Sequence, residues 1–166
     1  TEWELPVGDS LSPATETPGL LPAARVAWQL VLPDKAAAMK ADGGQVVVVT
    51  KDGTVARLAA DGKVASRKTV SFEAVDGEVA KLAAQGDAEA ERIAKGSART
   101  DLMLKSAARA GDVTAVAYWG GTVELLKGEV AAMRNRLDQD VAGMAWAGET
   151  LVVGLADGRV VGLTLK

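Results

Sequence analysis

Residues 45–70, QVVVVTKDGTVARLAADGKVASRKTV, constrain the fold more than any other stretch of this chain. A β-branched run at 46–50 meets Lys51-Asp52-Gly53, a second run at 54–60 meets Asp61-Gly62, and a third run covers 63–70. Val and Thr suit a pleated, half-buried surface. Asp-Gly between two such runs marks a hairpin, because Gly accepts the positive φ that a tight turn requires. The stretch therefore predicts three antiparallel strands joined by two tight turns.

The rest of the chain follows the same logic with one interruption. Residues 1–7 predict a short strand around Trp3, and 8–22, rich in Pro, Ser, Thr and Gly, predict a loop. Together 1–22 read as an N-terminal tail or linker. Residues 23–32 predict a strand, stopped by Pro33-Asp34, and 36–40 a short strand or a single helical turn. Strand patterning returns at 102–107, 113–118, 122–126, 129–137, 141–146, 151–155 and 159–165. Between the two blocks, EVAKLAAQGDAEAERIAK at 78–95 is composed of helix formers. We read 76–99 as an inserted pair of short helices, with helix near 78–96 and Gly86 dividing them. Asp87 is the expected N-cap and Gly96 the expected stop, with thin apolar faces at Val79, Leu82 and Ile93. The competing reading makes Asp76-Gly77 a hairpin turn and 78–84 a strand.

Three segments superpose around a glycine: VVVTKDGTVARLAADGKV on Gly53, AVAYWGGTVELLKGEV on Gly121 and VVGLADGRVVGLTLK on Gly158. The glycines are 68 and 37 residues apart (121 − 53 and 158 − 121). A unit of about 37 residues is close to a four-stranded propeller blade. The larger spacing is then one unit plus the helical insert. The pattern resembles the blades of β-propellers of the quinoprotein-like (PQQ-repeat) and WD40-like superfamilies. V-V-V-V-T-K-D-G-T-V ending at Val55, L-A-A-D-G-K-V ending at Val64 and G-L-A-D-G-R-V-V-G-L ending at Leu163 carry that resemblance. Trp28 looks like the Trp that often closes a quinoprotein-type blade. The WD40 hallmarks Trp-Asp and Gly-His are missing, and the metal ligands and adjacent Cys pair of quinoprotein enzymes have no counterpart here. The resemblance implies an all-β fold of antiparallel meander blades, a partial β-propeller ring of about three blades. Its units are 23–75, 100–137 and 138–166, with the insert at 76–99. Three blades do not close the usual ring of four to eight. The chain is therefore expected to be a fragment, to pair with a second copy, or to recruit strands from 3–7 and 23–32. The last unit lacks an outer strand, and 23–32 is a donor for it within one chain or across copies.

Composition narrows the chemistry. The chain has no Cys and no His. That removes thiolate catalysis and the commonest transition-metal ligands, and it leaves acid–base work to Asp, Glu, Lys or Tyr. The balance falls against an enzyme, and no cofactor, metal or catalytic residue is assigned. A formal net charge of −3 argues against general nucleic-acid binding, and no apolar run is long enough for a membrane span. No leader is visible, and the compartment stays open between cytoplasmic and exported.

Individual motifs read as follows. The five Asp-Gly pairs, at 42–43, 52–53, 61–62, 76–77 and 157–158, are assigned to turns rather than to calcium, because each is isolated. Asp138-Gln139-Asp140 is a weak hard-cation candidate. Gly120-Gly121 with Gly128 lies between strands and is not a phosphate loop. Tyr118-Trp119 at a turn, with Arg134 and Arg136 in the local basic knot, forms the candidate binding surface. For Trp119 the preferred reading is packing between blades like Trp28 and Trp146, since a chain with four Trp, one Tyr and one Phe needs them inside. The function expected from this is a non-catalytic binding or scaffold module with a protein partner or a second copy. The alternatives are a fragment of a larger propeller enzyme, marked by clustered acids in a central channel, and a carbohydrate binder, marked by an exposed Trp119 beside Asp or Glu.

Overall fold

Apolar runs become the inner layers of three antiparallel sheets, and four of the five Asp-Gly pairs, with Gly120-Gly121, turn the chain between consecutive strands. The computed structural model describes residues 11–12, 23–83, 88–97 and 102–164. The first sheet is β3 (Ala36–Asp42), β4 (Gln45–Thr50), β5 (Thr54–Ala59) and β6 (Val64–Thr69), in that order. The second is β7 (Leu104–Ala110), β8 (Val113–Tyr118), β9 (Thr122–Lys127) and β10 (Val130–Leu137), with β1 (Leu11–Ser12) added along β10. The third is β11 (Val141–Ala147), β12 (Thr150–Leu155) and β13 (Arg159–Thr164), completed by β2 (Arg25–Val31). Helices α1 (Phe72–Ala83) and α2 (Ala88–Ser97) lie between the first and second sheets in the chain. Each sheet is a four-stranded meander of the propeller-blade type, and the chain forms a partial propeller.

The three repeated glycines perform one task. Gly53, Gly121 and Gly158 have φ of 92°, 87° and 91° and sit in the turn between the second and third strands of their blades. Each offers its carbonyl to the N–H that ends the outer strand: Val70 to Gly53 at 2.8 Å, Leu137 to Gly121 at 2.8 Å, Leu32 to Gly158 at 2.9 Å. The first two outer strands follow their blade directly. The third, β2, arrives from the other end of the chain and makes the same bond. Residues 23–32 therefore donate the missing outer strand within one chain, and Leu32 leads straight on into β3 of the first blade.

The third blade stands between the other two. On one side Met144, Trp146, Leu151 and Val153 pack with Ala115, Val123, Leu125 and Leu137 of the second blade. On the other, Ala145, Val152 and Val160 pack with Val46, Val48, Ala56 and Leu58 of the first. An indole N–H secures each junction: Trp146 Nε1 donates to the Ala108 carbonyl at 3.1 Å, and Trp28 Nε1 to the Ala60 carbonyl at 2.8 Å. Trp28 lies so close over Gly62 and Gly162 that a Cβ on either would approach the ring to 2.5 and 2.4 Å.

The two outward faces of this arc are covered by the insert. Val75, Val79 and Leu82 of α1 pack on Val47, Val49 and Val55 of the first blade. Ile93 and Ala94 of α2 pack on Val116, Tyr118 and Leu126 of the second. The helical reading of 78–84 is the observed one through Ala83, and the helix begins earlier than expected, at Phe72. Asp76-Gly77 is consequently helix rather than turn: Val75, Val79 and Leu82, at helical spacing, bury a common face, and that outweighs a local turn preference. Gly96 is inside α2 rather than beyond it. Residues 36–40 are strand, within β3. The expected strand at 3–7, residues 8–10 and 13–22 of the expected loop, Gly86 and Asp87 lie outside the described residues, whereas Leu11–Ser12 of that loop is strand, paired antiparallel with Leu137 and Arg136 of β10.

Candidate functional site

All three turns between second and third strands, and all the links from one blade to the next, fall at one end of the blade stack, here called the linker face. The three turns begin with equivalent residues, Lys51, Trp119 and Ala156. Each donates its backbone N–H to the link residue beside its own inner strand: Lys51 to Lys35 O at 3.1 Å, Trp119 to Met103 O at 2.9 Å, Ala156 to Asp140 O at 2.8 Å. The fold thus accepts Lys, Trp or Ala at this position.

Trp119 is 54 % exposed, and the expectation that it packs between blades is overturned. A turn residue at the end of β8 projects past the sheet and has no neighbouring blade to enter. Its ring is nevertheless held. Lys105 Nζ lies 4.0 Å from the ring centroid, and the same ammonium is fixed by Asp140 Oδ2 at 2.6 Å. The other carboxylate oxygen of Asp140 accepts N–H groups from Val141 at 3.0 Å and Gly120 at 3.3 Å. A cation over an indole face adds attraction and limits the rotamers the ring can visit. Met103, 73 % exposed, is Trp119's backbone partner.

The other three candidate residues do not join Trp119 in one surface. Tyr118 is fully buried beneath α2, so it is a core residue and not a surface anchor. Its hydroxyl donates to Glu124 Oε2 at 3.2 Å. Arg134 is half-buried, with Nε 2.7 Å from Glu124 Oε1. Glu124 is 1 % exposed, so Arg134 neutralises a carboxylate inside the second blade. Arg136 is exposed on β10, opposite Thr122. Met103, Lys105 and the holding role of Asp140 were not singled out from sequence. Aligning 51, 119 and 156 through the repeat is the signal that sets Trp119 apart.

The carboxylates of the linker face are engaged. Asp138 and Asp157 both bind Arg159, at 2.7 and 2.6 Å. Burial opposes the charge on that guanidinium, and the hydrogen bonds it donates to Asp138 and Asp157 outweigh it, so its pKa is raised. Asp138 and Asp140 thus serve different cations and do not converge on one ion. Asp52 accepts the Thr50 hydroxyl and the Thr54 N–H. The Thr50 hydrogen bond holds its carboxyl below the ordinary value; burial opposes this, and Thr54 adds to it.

A cleft of about 840 Å³ runs between the inner strands β3, β7 and β11 and the two helices. Its floor is largely alanine and methionine, and its charged lining is Lys40, Lys95, Lys105 and Arg109 with Glu91. Among the described residues, no group of three or more acidic side chains is placed to hold a metal ion, and no helix is long and apolar enough to cross a membrane.

No family model and no curated protein matches the sequence. Among solved structures, the chain is similar to BamB from Moraxella catarrhalis, at 16 % identity over 77 % of this chain and 32 % of that one, TM-score 0.35. It is also similar to BBS1N in complex with ARL6DN, at 10 % identity over 81 % of this chain and 38 % of that one, TM-score 0.33. Raptor from Chaetomium thermophilum matches at 9 % identity over 74 % of this chain and 10 % of that one, TM-score 0.37. The chain spans 38 % or less of the length of each of these three. The assignment of the sheets as blades rests on the strand order and on the repeated glycine hydrogen bonds.

Proposed function

We propose that the chain is a non-catalytic propeller-type binding module that docks a protein partner on its linker face, with Trp119 as the anchor. One observation carries this: a large aromatic side chain stands exposed, in a held pose, at a position where the fold accepts Lys51 and Ala156 equally. Trp is among the residues that dominate interface energetics, because it buries much area at little entropy cost. A pose already fixed by Lys105 and Asp140 lowers that cost further. Among the described residues the charged lining of the cleft is mainly basic, with Glu91 as its one acid, which supports binding over the clustered acids expected of an enzyme fragment.

A second reading, carbohydrate binding, has one observation in its favour: Asp140 lies beside the exposed Trp119. Against it, Asp140 is already occupied by Lys105 and two backbone N–H groups, and Lys105 covers one face of the ring. Pairing with a second copy through the open blade faces is less favoured than a different partner, because α1 and α2 already cover those faces.

The test is a photo-cross-linking residue at Gln139, which is exposed next to Gly121, and in a separate variant at Glu149 on the opposite end. In the producing cells, protein adducts are expected from position 139, absent from 149 and lost when Trp119→Ala is added. Adducts that ignore Trp119, or none from 139, would end this reading.

A further inference from the structure

The chain carries its own occupant to the linker face. β1 pairs antiparallel with the last residues of β10, Leu11 opposite Leu137 and Ser12 opposite Arg136. β10 runs towards the linker face and ends there, where the Leu137 N–H bonds Gly121 O at 2.8 Å. The antiparallel register therefore sends the residues before Leu11 past that same end of the sheet. We propose that residues 3–7 dock on Trp119 and Met103, and, resting on the binding reading above, that a partner must displace them.

Reach, pattern and receiving surface agree. In the strand order β1-β10-β9-β8, three strand spacings, about 14 Å, separate Leu11 from the Trp119 end of β8. Val7 lies four residues before Leu11 (11 − 7) and Trp3 eight (11 − 3), so an extended chain carries them up to about 14 and 27 Å. Trp3, Leu5 and Val7 alternate with Glu2, Glu4 and Pro6. Extended backbone puts the two sets on opposite faces, so one face is wholly apolar and the other carries both carboxylates. The apolar face meets Trp119, 54 % exposed, and Met103, 73 % exposed. Lys105 holds the indole from one side, which leaves the other side of the ring for the segment. Acidic side chains outnumber basic ones on the linker face, so charge attraction does not bring the segment there, and Glu2 and Glu4 are turned away from it. The tether brings it. A short linker supplies a local concentration on the order of 1 mM, at which a contact with an intrinsic Kd of about 0.1 mM is about nine-tenths formed. A partner that uses Trp119 then finds the ring free about a tenth of the time, and its apparent affinity falls about tenfold.

The chain has no Cys, so Thr1→Cys gives a single attachment point for a nitroxide on the full chain. In amide spectra the signals of 103 and 119–121 are expected to weaken relative to the reduced label, and those of 148 and 149 at the opposite end to stay unchanged. Trp119→Ala, which the fold accepts because Ala156 holds the equivalent position, is expected to abolish most of the weakening at 103, 120 and 121. Trp3→Ser with Leu5→Ser is expected to do the same. Weakening confined to 135–138, or indifferent to both variants, would mean that the segment only passes the edge of β10, and would overturn the docking. Weakening passed from a labelled copy to an unlabelled, isotope-enriched one would overturn it in favour of a second copy. In the cross-linking experiment, Trp3→Ser with Leu5→Ser is expected to raise partner adducts from Gln139 roughly tenfold. Unchanged adducts would overturn the competition. Adducts that still require Trp119, with no weakening at 119–121, would overturn this inference and leave the protein-binding reading standing. Docking with no partner adducts from either chain would end the binding reading and the competition with it.

Discussion

Gly53, Gly121 and Gly158 are the residues on which each blade closes, and their surroundings rank what a methyl group would do there. A Cβ at Gly53 would come to 2.4 Å from the Val70 carbonyl oxygen, and one at Gly121 to 2.7 Å from that of Gln139. Both obstacles are backbone atoms that cannot swing aside. At Gly158 the nearest atom, Leu32 O, would be 3.2 Å away, so the cost is mainly that of the positive φ. Gly53→Ala and Gly121→Ala are therefore expected to destabilise by about 2–4 kcal/mol and Gly158→Ala by about 1–2 kcal/mol, read from urea midpoints. Equal losses at all three would mean that steric contact is not what distinguishes them. Asp52 makes a pH-dependent contribution in the first of these turns. Its folded pKa is depressed, so its stabilisation is present above the unfolded value of 3.8 and is lost as pH falls through the lower folded value. The carboxyl is exposed and solvent-screened, so Asp52→Asn should cost under about 1 kcal/mol at pH 7. The difference from the parent should vanish well below pH 3.8, which paired denaturation curves at the two pH values would check.

At the scale of elements, β2 and the helices show what the sequence carries and what it does not. The repeat around the three glycines was readable because one backbone bond demands the same residue at each turn. The donor strand was readable as the apolar, β-rich run at 23–32, stopped by Pro33-Asp34. Trp28 then explains why β2 stays docked: it stacks on Gly162 of its own sheet and reaches Ala60 of the next. Trp28→Ala should loosen β2 before the remaining sheet, seen as faster amide exchange at 25–31 than in β12, and a uniform change would contradict the docking role. The start of α1 was not readable, because Asp76-Gly77 is a turn signal locally and only burial against the first blade makes it helix. The Glu124–Arg134 pair was not readable either. Opposite charges at 124 and 134 look like a solvated pair, and only the tertiary packing around β9 buries the carboxylate. Arg134→Ala removes the cation beside that carboxylate and should cost about 3 kcal/mol, whereas Arg136→Ala on the exposed side should stay within about 0.5 kcal/mol, by thermal or urea unfolding.

The described residues form an arc of three blades whose ends would be open without α1 and α2. Sequence reasoning reached the three blades and the insert separately, and left open a fragment, a second copy or recruited strands as the way the ring is completed, because amphipathic spacing says that a helix has an apolar face but not which surface receives it. The structure places the apolar face of α1 on the first blade and that of α2 on the second, the two surfaces a neighbouring blade would otherwise cover. The helices therefore act against edge-on association of the arc. Val75→Asp with Ile93→Asp puts a carboxylate into each contact, where an unpaired buried charge is costly enough to lift the helix rather than be accommodated. Valine and leucine faces of the first and second blades then reach solvent together, a contiguous apolar surface of the kind that drives self-association. Light scattering over a concentration series should give the parent chain the mass of one copy, 17.1 kDa, at every concentration. The double variant, still showing β-sheet circular dichroism, should rise in mass with concentration. A parent chain that is already a stable dimer would mean that the helices leave the blade faces available, and that two arcs meet in spite of them.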